Sequence, residues 1–145
     1  MCSVSKIVIS PEEYFNFTLL EDDTYSIVAK DVENMPSEVI IPATYNGKAV
    51  TEIYYNAFLS LDGDHSFVIP DSITSIDIGC ATMHPFIFSG NIIKIEVSKD
   101  NATYKSIDGC LYTKDGKILL VYATGKADQT FTLPKDVEII NYGAF

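Results

Sequence analysis

Val50-Thr51-Glu52-Ile53-Tyr54-Tyr55-Asn56-Ala57-Phe58 returns twice along the chain, as Ile73-Thr74-Ser75-Ile76-Asp77-Ile78-Gly79-Cys80-Ala81 and as Val137-Glu138-Ile139-Ile140-Asn141-Tyr142-Gly143-Ala144-Phe145. Each copy places a β-branched residue, a second three positions later, and Asn or Gly three after that. A small residue follows, and usually Phe. Such self-similarity decides an architecture before any local reading does. Asn56, Gly79 and Gly143 stand where the chain is expected to turn through a positive φ, which Asn and Gly tolerate best. The residues after them are expected to fill the interior.

Upstream of each copy lies an alternating apolar pair closed by proline: Val39/Ile41-Pro42, Phe67/Ile69-Pro70 and Phe131/Leu133-Pro134. Alternation sends both side chains to one face of a strand. Proline has no N–H, so a backbone ladder stops there. In the first copy Tyr45-Asn46-Gly47-Lys48 lengthens the link from Pro42 and reads as an inserted turn. A unit of about two dozen residues cannot bury its own apolar face, so the units make sense only stacked on one another. Ile53 and Ile76 are 23 residues apart, whereas Ile76 and Ile140 are 64 apart, so a longer element intervenes.

The rest of the chain agrees with a mostly-β reading. It holds 18 Ile, 10 Val, 11 Thr and 9 Tyr against 8 Leu, a composition that fits pleated, half-buried surfaces better than helices. Phe15/Phe17/Leu19 and Tyr25/Ile27/Ala29 flank an acidic turn and predict a hairpin. Asp115-Gly116 between Cys110–Thr113 and Ile118–Tyr122 predicts another.

The 145 residues make one domain, long enough to bury about 70% of the unfolded surface. Twenty acidic residues against ten lysines give a net charge of −10. That excess opposes a phosphate-binding surface, and with it nucleic acid and anionic lipid as partners. No apolar run is long enough to span a membrane as a helix. Nor does the N-terminus carry the apolar stretch of a secretory signal.

Chemistry-bearing patterns are sparse. Cys2, Cys80 and Cys110 form no metal-spaced pair. They read as idle or buried thiols, or as one Cys80–Cys110 bridge whose geometry a structure would have to supply. Cys80 and His84 are four apart, yet Gly79 and Pro85 speak against a helix presenting both. Asp62-Gly63-Asp64-His65 lacks the Gly and the distal Glu of a calcium-binding loop and reads as a solvated turn. Asn16-Phe17-Thr18 and Asn101-Ala102-Thr103 match a glycan-acceptor triplet that is common by chance. No metal or cofactor is expected.

The stretch from Val39 through Ile53, closing on Asn56-Ala57-Phe58, resembles BspA-type leucine-rich repeats, and so does Ile69-Pro70-Asp71-Ser72-Ile73-Thr74-Ser75-Ile76. Ile95-Glu96-Val97, Tyr104 to Tyr112, Leu119 to Tyr122 and Gly125-Lys126 resemble that family's extended, hairpin-bearing repeat. Cys80-Ala81 and Thr82 to Ser89 depart from the pattern. The resemblance implies a right-handed leucine-rich-repeat solenoid, mostly β, with short irregular or helical convex segments and β-hairpin insertions. Residues 1–37 would be an N-terminal cap with a hairpin, and 38–145 one continuous repeat array, truncated at its C-terminal end. It implies no catalytic residue. It places such chains on cell surfaces or outside cells, in adhesion and protein binding.

Two functional classes follow as expectations. One is a non-catalytic binding module for a protein or glycan partner, favouring a basic one because the chain is acidic. The other is a structural spacer with no ligand of its own. The candidate contact residues are Tyr54, Tyr55 and Tyr142, since tyrosine offers rigid contact area with a polar tip. The C-terminal edge is expected to support homo-oligomers by strand pairing.

Overall fold

The computed structural model describes residues 12–54, 57–77 and 91–145. These residues are all-β, with one 3-10 turn at Glu12–Tyr14 and no α-helix among them. The helical convex segments expected from the family resemblance are therefore absent from the described residues. Strand-forming runs broken every few residues by Gly, Asn or Pro are too short to nucleate a helix.

Two parallel ladders carry the architecture. In the first, β3 (Glu38–Ile40), β6 (Asp64–Ile69) and β8 (Asn91–Val97) pair in parallel, with a register shift at His65/Ser66 and with Val39 beside Phe67 and Phe67 beside Ile95. All three side chains are buried. In the second, β2 (Tyr25–Ala29), β5 (Lys48–Ile53) and β7 (Ser75–Ile76) align Ile27, Ile53 and Ile76, again all buried. The first two copies of the template thus lie side by side through β5 and β7, with Ile53 beside Ile76, whereas the third lies in a separate sheet, paired with Ile118 and Leu119. Burial of one such Ile is worth roughly 2 kcal/mol.

Proline acts where the alternation ends. The Ile41 amide still donates to the Val68 carbonyl (3.0 Å), after which Pro42 has no hydrogen to give. Ser98 occupies the equivalent place beyond β8, and its amide donates to the Ile69 carbonyl (2.9 Å). The third rung is therefore Ile95/Val97-Ser98, not the expected Phe131/Leu133-Pro134. Phe131 and Leu133 lie in no strand and are partly exposed. What the third copy keeps is the turn: the Val137 amide donates to the Pro134 carbonyl (3.1 Å), as Ile73 does to Pro70 (3.4 Å).

Two antiparallel hairpins flank the ladders. β1 (Phe15–Leu19) pairs with β2, opposing Phe17 to Ile27. β9 (Tyr104–Ile107), β10 (Cys110–Thr113) and β11 (Ile118–Val121) form a meander, and β11 then pairs in parallel with β12 (Ile139–Ile140). The inserted turn of the first copy is itself a small hairpin, β4 (Thr44–Tyr45) against β5. Asn46 and Gly47 both have positive φ, 48° and 76°, as a tight two-residue turn demands. Gly143 has the positive φ expected of it, 79°. Asn56 and Gly79 fall outside the described residues.

One hydrogen-bond pattern recurs in the two halves. The amide of Tyr54 donates to Ile27, and that of Asn141 to Leu119; the amide of Ala29 donates to Ala57, and that of Tyr122 to Ala144. Each hairpin therefore holds the copy after it in the same way. Asn101 links the Pro70 turn to the start of β9: its side-chain amide donates to the carbonyls of Pro70 and Ile73, both at 2.9 Å, while its oxygen accepts from the amides of Thr103 and Tyr104.

Candidate interaction surfaces

Backbone bonds at the template's end fix where the candidate tyrosines sit. Tyr54 leaves β5 with its amide bound to Ile27, and its side chain is 52% exposed. Tyr142 follows β12 between the anchored Asn141 and Ala144 and is 60% exposed. Tyr55 falls outside the described residues. The two described rings belong to different sheets, β5's and β12's, so they do not make one aromatic row by sheet position.

The outer face of the β3–β6–β8 sheet follows from alternation. Val39, Phe67 and Ile95 point inward, so their neighbours Glu38, Ser66 and Lys94 point outward. Two shallow, open grooves meet at Ile93 and Lys94, one running over Glu38 and Ser66, the other over Ser106 and Asp108. Lys94 pairs with Glu96 at 2.9 Å. Lys126 reaches the Asp108 carboxylate at 2.9 Å and Asp128 at 3.5 Å, and the bond to Asp108 holds its ammonium above the usual lysine range.

Across the second ladder Glu52 on β5 pairs with Ser26 and Ser75, and it feels the charges of Asp77, beyond β7, and of Asp22 in the first hairpin's turn. Partial burial, then the charges of Asp77 and Asp22, push the Glu52 carboxyl up from its ordinary range. No set of three metal-ligating side chains gathers among the described residues.

Apolar side chains are exposed on both sides of β12 and around it. Leu133, Ile139, Ile140, Tyr142 and Phe145 are all well exposed, Ile140 at 50% and Phe145 at 65%. Phe145 rests by one side on Tyr122 (4.9 Å between ring centres) and approaches Phe131 at 6.0 Å.

The groups that might have carried chemistry are turned to packing. Cys110 is a buried free thiol whose sulfur accepts the Ala123 amide at 3.5 Å, and burial pushes its acidity down. A buried, protonated thiol is a poor nucleophile. Cys80 and His84 fall outside the described residues. In the Asp62–His65 turn, His65 is buried with both ring nitrogens 2.9 Å from backbone carbonyls, those of Pro36 and Asp62. Asp64 accepts from Asn91 at 3.1 Å. Sequence reasoning did not find the aromatic cluster of Phe17, Tyr25 and Tyr45, in which Phe17 and Tyr45 stack at 3.7 Å with planes 3° apart. The signal was present only in part, as the inserted turn that carries Tyr45.

No protein-family model matches the sequence, and no curated protein does. Among solved structures, the fold is similar to that of the pneumococcal vaccine antigen PcpA, with a TM-score of 0.57 and 20% identity over 72% of this chain. The chain spans 29% of that protein's length. A leucine-rich repeat protein from Eubacterium ventriosum matches with a TM-score of 0.43 and 18% identity, over 88% of this chain and 53% of its own. The likeness to PcpA is thus one of fold, at low sequence identity.

Proposed function

We propose that this chain is a non-catalytic binding module of the leucine-rich-repeat kind, a right-handed solenoid whose open faces meet a protein or glycan partner at a cell surface or outside the cell. In this reading residues 1–37 form the cap and 38–145 the repeats. The observation that carries it is the pairing of two parallel ladders, filled by Val39, Phe67 and Ile95 and by Ile27, Ile53 and Ile76, with large aromatic side chains left in solvent beside them. The interior is thereby used up by packing, and the chemistry on offer is that of a surface. The buried, protonated Cys110 and the shallow grooves support a non-enzymatic role. The fold of PcpA, a vaccine antigen, supports exposure to the outside.

The test is capture on an array of immobilised extracellular glycans and matrix proteins, comparing the native chain with Tyr54→Ala, Tyr55→Ala and Tyr142→Ala. Lost capture at an unchanged melting temperature supports the reading. Capture unaffected by all three, or lost only in step with stability, overturns these tyrosines as the contact.

A further inference from the structure

β1 ends its sheet, and one side of it is open. The Lys30 amide donates to the Tyr14 carbonyl and the Leu20 amide to the Thr24 carbonyl, both at 2.8 Å. Between these bonds the ladder alternates, so Asn16 and Thr18 turn their backbone groups to β2, while Phe15, Phe17 and Leu19 turn theirs away. No described strand pairs with that side. Phe15 is buried, but Phe17 is only half-buried and Leu19 is 53% exposed. Among the described residues, every other strand that ends a sheet is two or three residues long or carries a lysine, Lys94 in β8 and Lys105 in β9. Short edges and edge lysines discourage pairing with foreign chains. β1 has neither device: it pairs with β2 through five unbroken positions and contains no lysine and no proline.

We propose that this edge takes an extended peptide with apolar alternate residues and Lys or Arg at both ends, added as one more strand beside β1. The proposal rests on the binding-module reading and names a site and a partner chemistry for it. The peptide backbone meets the free amides and carbonyls of Phe17 and Leu19. Every second peptide side chain then lies on the face that Phe17 and Leu19 share, where the Phe17 ring is already held against Tyr45 at 3.7 Å. Charge selects the partner. Residues 12–29 hold five carboxylates and no lysine, with Glu12 and Glu13 before β1 and Glu21, Asp22 and Asp23 after it, all exposed. Lys48 pairs with Asp23. A second copy of β1 fits poorly: laid antiparallel about Phe17, it sets Glu13 against Glu21 and Glu12 against Asp22. Like charges directly opposite each other across strands are destabilising.

The probe is the end-blocked peptide Lys-Lys-Thr-Val-Thr-Val-Thr-Lys-Lys, titrated into the intact isotope-labelled chain and followed by NMR. Amide shifts are expected at Phe17 and Leu19 and not at Tyr112. The same peptide with its five central residues N-methylated keeps the charge but cannot pair, and is expected to bind about tenfold more weakly or worse. Leu19→Pro removes one outward amide hydrogen and no β1–β2 bond, so it is expected to abolish binding at a nearly unchanged melting temperature. Glu13→Lys combined with Glu21→Lys is expected to weaken binding about tenfold, and keeps the test valid should the proline variant fold poorly. Binding is also expected to weaken as salt is raised from about 0.05 to about 0.5 M. Equal binding of the N-methylated peptide, or binding that Leu19→Pro leaves intact, overturns the proposal. So does slow amide exchange at Phe17 and Leu19 in the free chain, which would show the edge already covered, or dimerisation that Leu19→Pro abolishes, which would give it to a second copy. No binding at about 1 mM peptide overturns this site alone and leaves array capture by the tyrosines standing, whereas failed array capture with the peptide still bound overturns only the tyrosines.

Discussion

The first and last copies of the nine-residue template have the same hydrogen-bonded frame and opposite surroundings. Val50, Ile53 and Phe58 are fully buried, while Val137 is half-buried and Ile140 and Phe145 stand in solvent. The hairpin beneath each is equivalent, since Ile27 holds Tyr54 as Leu119 holds Asn141. What differs is the next layer. β7 and Phe67 lie on the first copy, and no described strand lies on the outer edge of β12. In this architecture a residue's burial is therefore set by its neighbour's presence, not by its own place in the template. Stability is expected to follow the neighbour too.

Matched deletions test this most directly. Phe58→Ala is expected to cost about 3–5 kcal/mol, and Phe145→Ala less than about 1 kcal/mol, because only the first leaves a cavity. Ile53→Ala and Ile140→Ala should divide in the same way. Urea unfolding followed by circular dichroism measures all four. Equal costs within a pair would break the comparison and show the template itself to be the stabilising unit.

The proline turns sharpen it. Asn101 reaches back to hold the carbonyls of Pro70 and Ile73, and removing its amide strands several buried backbone groups. Asn101→Ala is expected to cost about 2–4 kcal/mol. Amide exchange should quicken at Ile73 and Thr74 and stay unchanged at Val137, whose Pro134 turn is made locally. A uniform rise in exchange would mean that the turns share one support. A smaller effect is expected at Tyr45, which the inserted hairpin lays over Phe17. Tyr45→Ala should cost about 1–2 kcal/mol, from the lost ring contact and partial burial.

These residues also mark what could be read without coordinates. The hairpins were legible because Asp115-Gly116 and the acidic turn after Leu19 fix local φ and flanking alternation fixes the face. Two of the three rungs were legible because Pro42 and Pro70 punctuate them. The third was not: Ile95-Glu96-Val97 ends in Ser98, which leaves no such mark, while Phe131/Leu133-Pro134 bears the mark but finds no strand to pair with among the described residues. Exposure of Tyr54 followed from its place beside the core-facing Ile53, and that of Tyr142 from its place in the matching stretch of the last copy. The Asn101 clamp and the Phe17–Tyr45 stack join residues about thirty apart, and no periodicity announces a contact of that kind.

The same comparison extends to charge, where it supplies the smallest expected effect. In the first copy Glu52 feels the charges of Asp22 and Asp77; in the last, Glu138 is paired with Lys117. Burial and those two like charges raise the Glu52 carboxyl in the folded chain above its unfolded value, so folding favours the protonated form. The stability Glu52 contributes is then fully present below the unfolded value, near 4.5, and is lost as pH rises through the folded one. Glu52→Gln keeps the shape and removes the charge. It is expected to raise the melting temperature slightly at pH 7, with the gain fading as the pH falls toward 4. Glu138→Gln, which gives up an exposed ion pair, should give no gain at either pH. Melting curves of both variants at pH 7 and pH 4 decide the matter. A Glu52→Gln gain that persists at pH 4 would come from packing and would remove electrostatic strain as the distinction between the two copies.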